Sequence, residues 1–145
     1  MNGIELRPLH CGISVSNLAE AVAWFERVLG FEFDREADMG HLGFKIAFVR
    51  SGDFQIELFE HSRSKPAPPE SRVPDEDLRT QGTKHICFQV RDLSQMVEHL
   101  RASGVGIAMG PMPVAGLNVV VIHGPDNVLI EFAEVLEGSA PNEAG

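Results

Sequence analysis

Cysteine is scarce in this chain of 145 residues: Cys11 and Cys87 are the only two. Both fall in runs with strand character, where a cysteine acts as a small buried hydrophobe with a reduced thiol, although Cys87 shares the parity of His85 and a site-lining role for it stays open. Long apolar runs are missing as well. Nothing approaches the roughly 20 residues that span a bilayer, and the opening Met1-Asn2-Gly3-Ile4-Glu5-Leu6-Arg7-Pro8 has no apolar core of the kind that exports a protein. A cytoplasmic protein with no membrane partner is the expectation. Basic residues are outnumbered, 12 lysines and arginines against 21 acidic residues, and the net charge of −9 argues against a broad phosphate-binding surface. Nucleic acid is therefore not an expected partner. A small anionic substrate remains compatible, because a metal ion and a few local cations override the global field. Neither a phosphate-cradling glycine motif nor a Ser/His/Asp nucleophile arrangement is visible. The composition, 43% hydrophobic and 23% charged, is that of a globular chain. Its length suits one domain, or a duplicated one with halves of about 60 to 70 residues.

Against this background two short runs match each other: Gln55-Ile56-Glu57-Leu58-Phe59-Glu60 and Leu129-Ile130-Glu131-Phe132-Ala133-Glu134. Each sets a carboxylate inside an apolar run, where an unpaired charge is costly. Each also has a histidine upstream in similar surroundings, His10-Cys11-Gly12-Ile13-Ser14-Val15 and His85-Ile86-Cys87-Phe88-Gln89-Val90. The two histidines and the two glutamates recur at nearly the same interval. Duplicated frames of this kind predict one metal site assembled from both halves of a repeat.

In chain order, residues 9–16 alternate as a half-buried strand, with Leu9, Cys11, Ile13 and Val15 on one face and His10 on the other. Asn17 is placed to cap a helix whose apolar stripe is Leu18, Val22, Phe25, Val28 and Leu29, and Gly30 to end it. Strands follow at 31–37, 43–49 and 54–60, with a turn at 38–41 and a four-residue hairpin connection at 50–53. Glu57 then lies opposite the packing residues Ile56 and Leu58. Residues 62–82, with Pro66, Pro68, Pro69 and Pro74, read as a linker or mobile arm. The order repeats afterwards: a strand at 84–91 with His85 and Cys87 on the unpacked side, a helix capped by Asp92 and stopped at Gly104, and a strand at 105–109. A turn at Gly110-Pro111-Met112-Pro113 and a closing hairpin of 118–123 with 128–134 complete the second half. The prediction is an α+β fold of two tandem βαβββ modules, about 7–61 and 83–135, within a single domain over 1–145, with a frayed tail at 136–145.

Two histidines and two glutamates suit Zn, Ni, Co, Mn or Fe(II) as a divalent ion better than copper(I) or an iron-sulfur cluster. Four protein ligands in a six-coordinate site leave two positions open. That suits polarising a carbonyl so that a neighbouring proton can be moved. Ring-cleaving oxygen chemistry instead uses two histidines and one carboxylate with three open positions, and here Glu57 would fill one of them.

His10 to Leu18, Trp24-Phe25 with Leu29-Gly30-Phe31, His85 to Asp92 and Gly124-Pro125-Asp126-Asn127-Val128-Leu129-Ile130-Glu131 together resemble the vicinal oxygen chelate superfamily, also named for glyoxalase, bleomycin resistance and extradiol dioxygenase proteins. The resemblance spans about residues 7 to 135. It implies paired βαβββ modules forming a glyoxalase-like cupped sheet, with His10, Glu57, His85 and Glu131 as metal ligands. Methylmalonyl-CoA epimerases are similar over Gly43-Phe44-Lys45-Ile46-Ala47-Phe48, Ile56-Glu57-Leu58 and Val128-Leu129-Ile130-Glu131. Where glyoxalase I has an arginine and an asparagine for glutathione, Ser14 and His61 stand here.

The expected function is a metal-dependent isomerase or lyase that abstracts a proton next to a carbonyl of a small substrate, an anionic compound or a thioester among the candidates. Glu57, Glu131 and Lys45, the last given the strand parity to face the cavity, are the catalytic candidates, with His123 a further proton-transfer group. Arg63, Lys65, Arg72 and Arg79 are candidates to clamp an anion. The alternatives are an Fe(II) or Mn(II) ring-cleaving dioxygenase and a non-catalytic binding or resistance protein. A homodimer is expected, since sheets of this kind often complete themselves between copies.

Overall fold

In a computed structural model, residues 5–136 are described. The first module comprises β1 (His10–Val15), α1 (Leu18–Leu29), β2 (Glu32–Met39), β3 (Phe44–Ser51) and β4 (Phe54–His61). A 3-10 turn (Pro69–Arg72) and a short helix α2 (Pro74–Asp77) follow. The second module comprises β5 (Ile86–Gln89), α3 (Leu93–Ala102), β6 (Ile107–Val114), β7 (Leu117–His123) and β8 (Leu129–Val135). The sheets run β1-β4-β3-β2 and β5-β8-β7-β6, so the α+β fold of two βαβββ modules is present. In each, the first strand lies parallel to the last and the other neighbours are antiparallel. The chain divides into two compact units, Met1–Pro66 and Ala67–Gly145.

Local sequence explains both long helices. Asn17 Oδ1 accepts from Glu20 N at 3.0 Å and Asp92 Oδ1 from Gln95 N at 2.9 Å, each satisfying a first-turn amide. Gly30, at φ 66°, takes the left-handed position that ends α1. In the first unit Val15, Phe25, Val28, Ala47, Val49, Ile56 and Leu58 are buried, and in the second Leu93, Leu100, Val120, Ile122 and Ile130. No described helix is long and apolar enough to cross a membrane.

Four local expectations need correction. The connection between β3 and β4 is shorter than four residues, because Ser51 pairs with Phe54 around Gly52, whose φ is 57°. The Gly110-Pro111-Met112-Pro113 segment is part of β6, with register breaks on either side of Met109. β6 is an edge strand, where a proline without an N–H removes no ladder bond. Cys87 is exposed and Cys11 only half-buried, so neither is a core residue.

The fourth correction concerns the arm, of which residues 67–82 are tied to the second unit. Lys84 Nζ donates to the carbonyls of Asp77, at 2.8 Å, and Thr80, and lies 3.4 Å from Asp77 Oδ1. His123 Nε2 donates to the Arg72 carbonyl at 2.7 Å. Asp77 is only 7% exposed, so its carboxylate depends on that ammonium. Lys84→Met should cost about 2 kcal/mol, the scale of a hydrogen bond to a charged group. The readouts are a lower urea midpoint and faster protease cleavage within 67–82. The tail expected over 136–145 lies, apart from Leu136, outside the described residues.

Candidate metal centre

Pairing of β1 with β4 sets His10 opposite Gln55 and Gly12 opposite Glu57. Residues two apart on a strand share a face, so His10, Gly12, Gln55 and Glu57 point to one side. The other side carries the buried Ile13, Val15, Ile56 and Leu58. His10 Nε2 stands 3.2 Å from Glu57 Oε2, with the side chains 36% and 17% exposed. The imidazole meets Phe48 edge to face, the centroids 6.0 Å apart.

The second unit repeats this arrangement. Cys87 is opposite Glu131, and His85, two residues before it, occupies the place that His10 has before Gly12. His85 Nε2 stands 3.6 Å from Glu131 Oε2, with the side chains 35% and 15% exposed. Two donors each about 2.1 Å from a common ion, at tetrahedral or octahedral angles, stand roughly 3.0 to 3.4 Å apart. The first pair, at 3.2 Å, falls within this range, and the second, at 3.6 Å, lies just outside it and would have to close slightly around a divalent ion. Among the described residues no group of three or more histidine, cysteine, aspartate or glutamate side chains is placed to hold one. The four predicted ligands come together as two pairs, one in each unit.

Cys87 has a direct relation to the second pair, which parity alone had only left open. Desolvation of the thiol, its hydrogen bond to Glu131 and that carboxylate's charge push it up to about 12. Gly12 holds the equivalent position beside Glu57, and a Cβ there would meet the Phe59 ring at 3.2 Å.

Lys45 is misplaced by the expectation that it faces the site. Its strand partner is Glu60, and it lines a groove with Asn17, Leu18 and Glu36 beside α1. Phe48 is the β3 residue opposite Glu57, and Lys45, three residues away, points to the other face. His123 is engaged with the Arg72 carbonyl. The four arm cations are exposed; Arg63 and Lys65 belong to the first unit and Arg72 and Arg79 to the second, with Arg79 3.6 Å from Asp75. Two residues beside the first pair escaped notice in the sequence, Phe48 and Arg35, whose guanidinium lies on the Phe48 ring.

The family model described as "Glyoxalase/Bleomycin resistance protein/Dioxygenase superfamily" matches residues 7–132. The mitochondrial methylmalonyl-CoA epimerase of Homo sapiens is 23% identical over 129 residues, covering 86% of this chain and 72% of that protein. A lactoylglutathione lyase of Arabidopsis thaliana is 26% identical over 134 residues, covering 88% of this chain and 44% of that one. Among solved structures, a glyoxalase family protein from Enterococcus faecalis superposes with a TM-score of 0.74 at 21% identity, over 92% of this chain and 100% of that chain.

Proposed function

Because the chain belongs to the glyoxalase/bleomycin resistance protein/dioxygenase superfamily, we propose that it is a metal-dependent isomerase or lyase that abstracts a proton next to a carbonyl of a small substrate. The observation that carries this reading is the duplicated His–Glu pair, built twice in the same register with nearly the same exposure. His10, Glu57, His85 and Glu131 are the residues that would hold the ion, one His–Glu pair from each module. A divalent ion of zinc, nickel, cobalt, manganese or iron would supply Lewis acidity to the carbonyl oxygen. Glu57 or Glu131 takes the proton at a carboxylate oxygen and returns it, and Phe48 packs edge to face on His10. Similarity to an epimerase and a lyase supports this class of proton transfer. A fourth ligand also weighs against three-position oxygen chemistry.

The test is solvent exchange. Protein loaded with each metal in turn is incubated without oxygen in D2O with a panel of acyl thioesters and 2-oxo compounds. Deuterium should enter the carbon next to the carbonyl of at least one of them, as read by mass spectrometry. Turnover only of catechols, and only with oxygen, would move the protein to the ring-cleaving class.

A further inference from the structure

The face that carries His10 and Glu57 also carries an arginine that proton transfer leaves unused. β2 pairs with β3 as Phe33 to Val49 and then Arg35 to Phe48, so Asp34 is an extra residue in a bulge. Strand alternation alone would give Arg35 the side of Phe33, which lines the groove beside α1. The bulge turns it instead to the side of Phe48, the partner of Glu57. There the guanidinium carbon lies 3.8 Å from the centre of the Phe48 ring, the ring that His10 also meets. Stacking of this kind fixes a guanidinium plane while leaving its N–H edges available to a ligand. Asp34 Oδ2 accepts from Arg35 Nη1 and also from Gln55 Nε2, at 3.2 Å, and Gln55 is the strand partner of His10. One nitrogen of the fork is thus used to orient it, and the edge formed by Nε and Nη2 retains its donors. The side chain is 53% exposed.

We propose that Arg35 is a specificity residue that binds, through a two-pronged hydrogen bond, a carboxylate carried by the substrate apart from its reacting carbonyl. The proposal rests on the reading above for where that carbonyl lies, and it narrows the substrate class to an acid. On a chain with a net charge of −9, beside Glu57, an anion needs such a local cation to approach. A stacked, oriented guanidinium matches the planar geometry of a carboxylate, which a lysine does not.

Malonate and its neutral diamide, malonamide, are the probes, titrated into chelator-stripped protein and followed by NMR, including the arginine Nε–H signals. Metal-free protein keeps this test separate from the metal reading, which elemental analysis decides on its own. Malonate should shift one arginine signal to saturation and malonamide should not. Arg35→Gln should abolish that shift and weaken malonate binding about tenfold or more, as expected for loss of a charged two-pronged contact, with Arg35→Lys intermediate. If Arg35 only braces Phe48, Arg35→Gln lowers the thermal midpoint and leaves malonate binding unchanged. That result, or equal binding of malonamide, overturns the proposal.

Discussion

Chelator-stripped protein dialysed against Zn(II) or Co(II) should retain one ion for each set of His10, Glu57, His85 and Glu131, and Ala at any one of the four should lose it. Removing a group that merely orients a metal ligand already costs 10–100-fold in affinity, so removing a ligand should cost at least on the order of 100-fold. Pairing of the modules makes a sharper prediction. If one ion is shared, Glu57→Ala in the first module abolishes binding as fully as Glu131→Ala in the second. If each His–Glu pair binds separately, as two donors apiece, either single variant keeps the other module's ion. Metal content by elemental analysis separates these outcomes. The side chains of both glutamates keep some exposure, 17% and 15%, and neither fills the apolar core, so the variants should fold. Circular dichroism checks that directly. Exchange activity should fall with metal content in every variant, and a variant that loses the ion yet retains activity would remove the ion from the chemistry.

The paired ligands were readable in the sequence because strand alternation has a period of two and the frame occurs twice. Parity set His10 and Glu57 against the packing residues Ile13, Ile56 and Leu58, and the second copy repeated the pattern. The same rule, misapplied across a hairpin, put Lys45 on the wrong face. A hairpin with an even loop pairs odd-numbered residues with even-numbered ones, as Glu57 pairs with Phe48, so Lys45 and Glu57 face opposite ways. Arg35 was hidden for a different reason. Its face depends on a single bulged residue, Asp34, and nothing in Phe31-Glu32-Phe33-Asp34-Arg35 marks where the register slips. The prolines of β6 concealed a strand because they are permitted only at an edge, and edges follow from sheet order. The arm is held by Lys84 and His123, contacts made after the chain has turned back on itself.

Glu57→Gln should lower the rate of deuterium exchange 10²–10⁴-fold, the range for losing a positioned proton-transfer group, whereas Glu131→Gln should lower it less. An amide oxygen can still ligate a metal ion but cannot accept the proton, so comparison at equal metal content isolates proton transfer from binding. The asymmetry follows from the residue that the parallel neighbour strand sets opposite each glutamate. Glu131 faces Cys87, whose thiol is a donor within the same frame that can restrain the carboxylate. Glu57 faces Gly12, which offers no side-chain donor, and the nearby Phe59 ring leaves little room for one. A carboxylate that must swing between holding an ion and taking a proton does so more readily without a tether. Cys87→Ala supplies the complementary measurement, because it makes the second frame resemble the first and should narrow the difference between the two glutamine variants. A larger loss in Glu131→Gln than in Glu57→Gln, at matched metal content, would assign the proton to Glu131 and overturn this ordering.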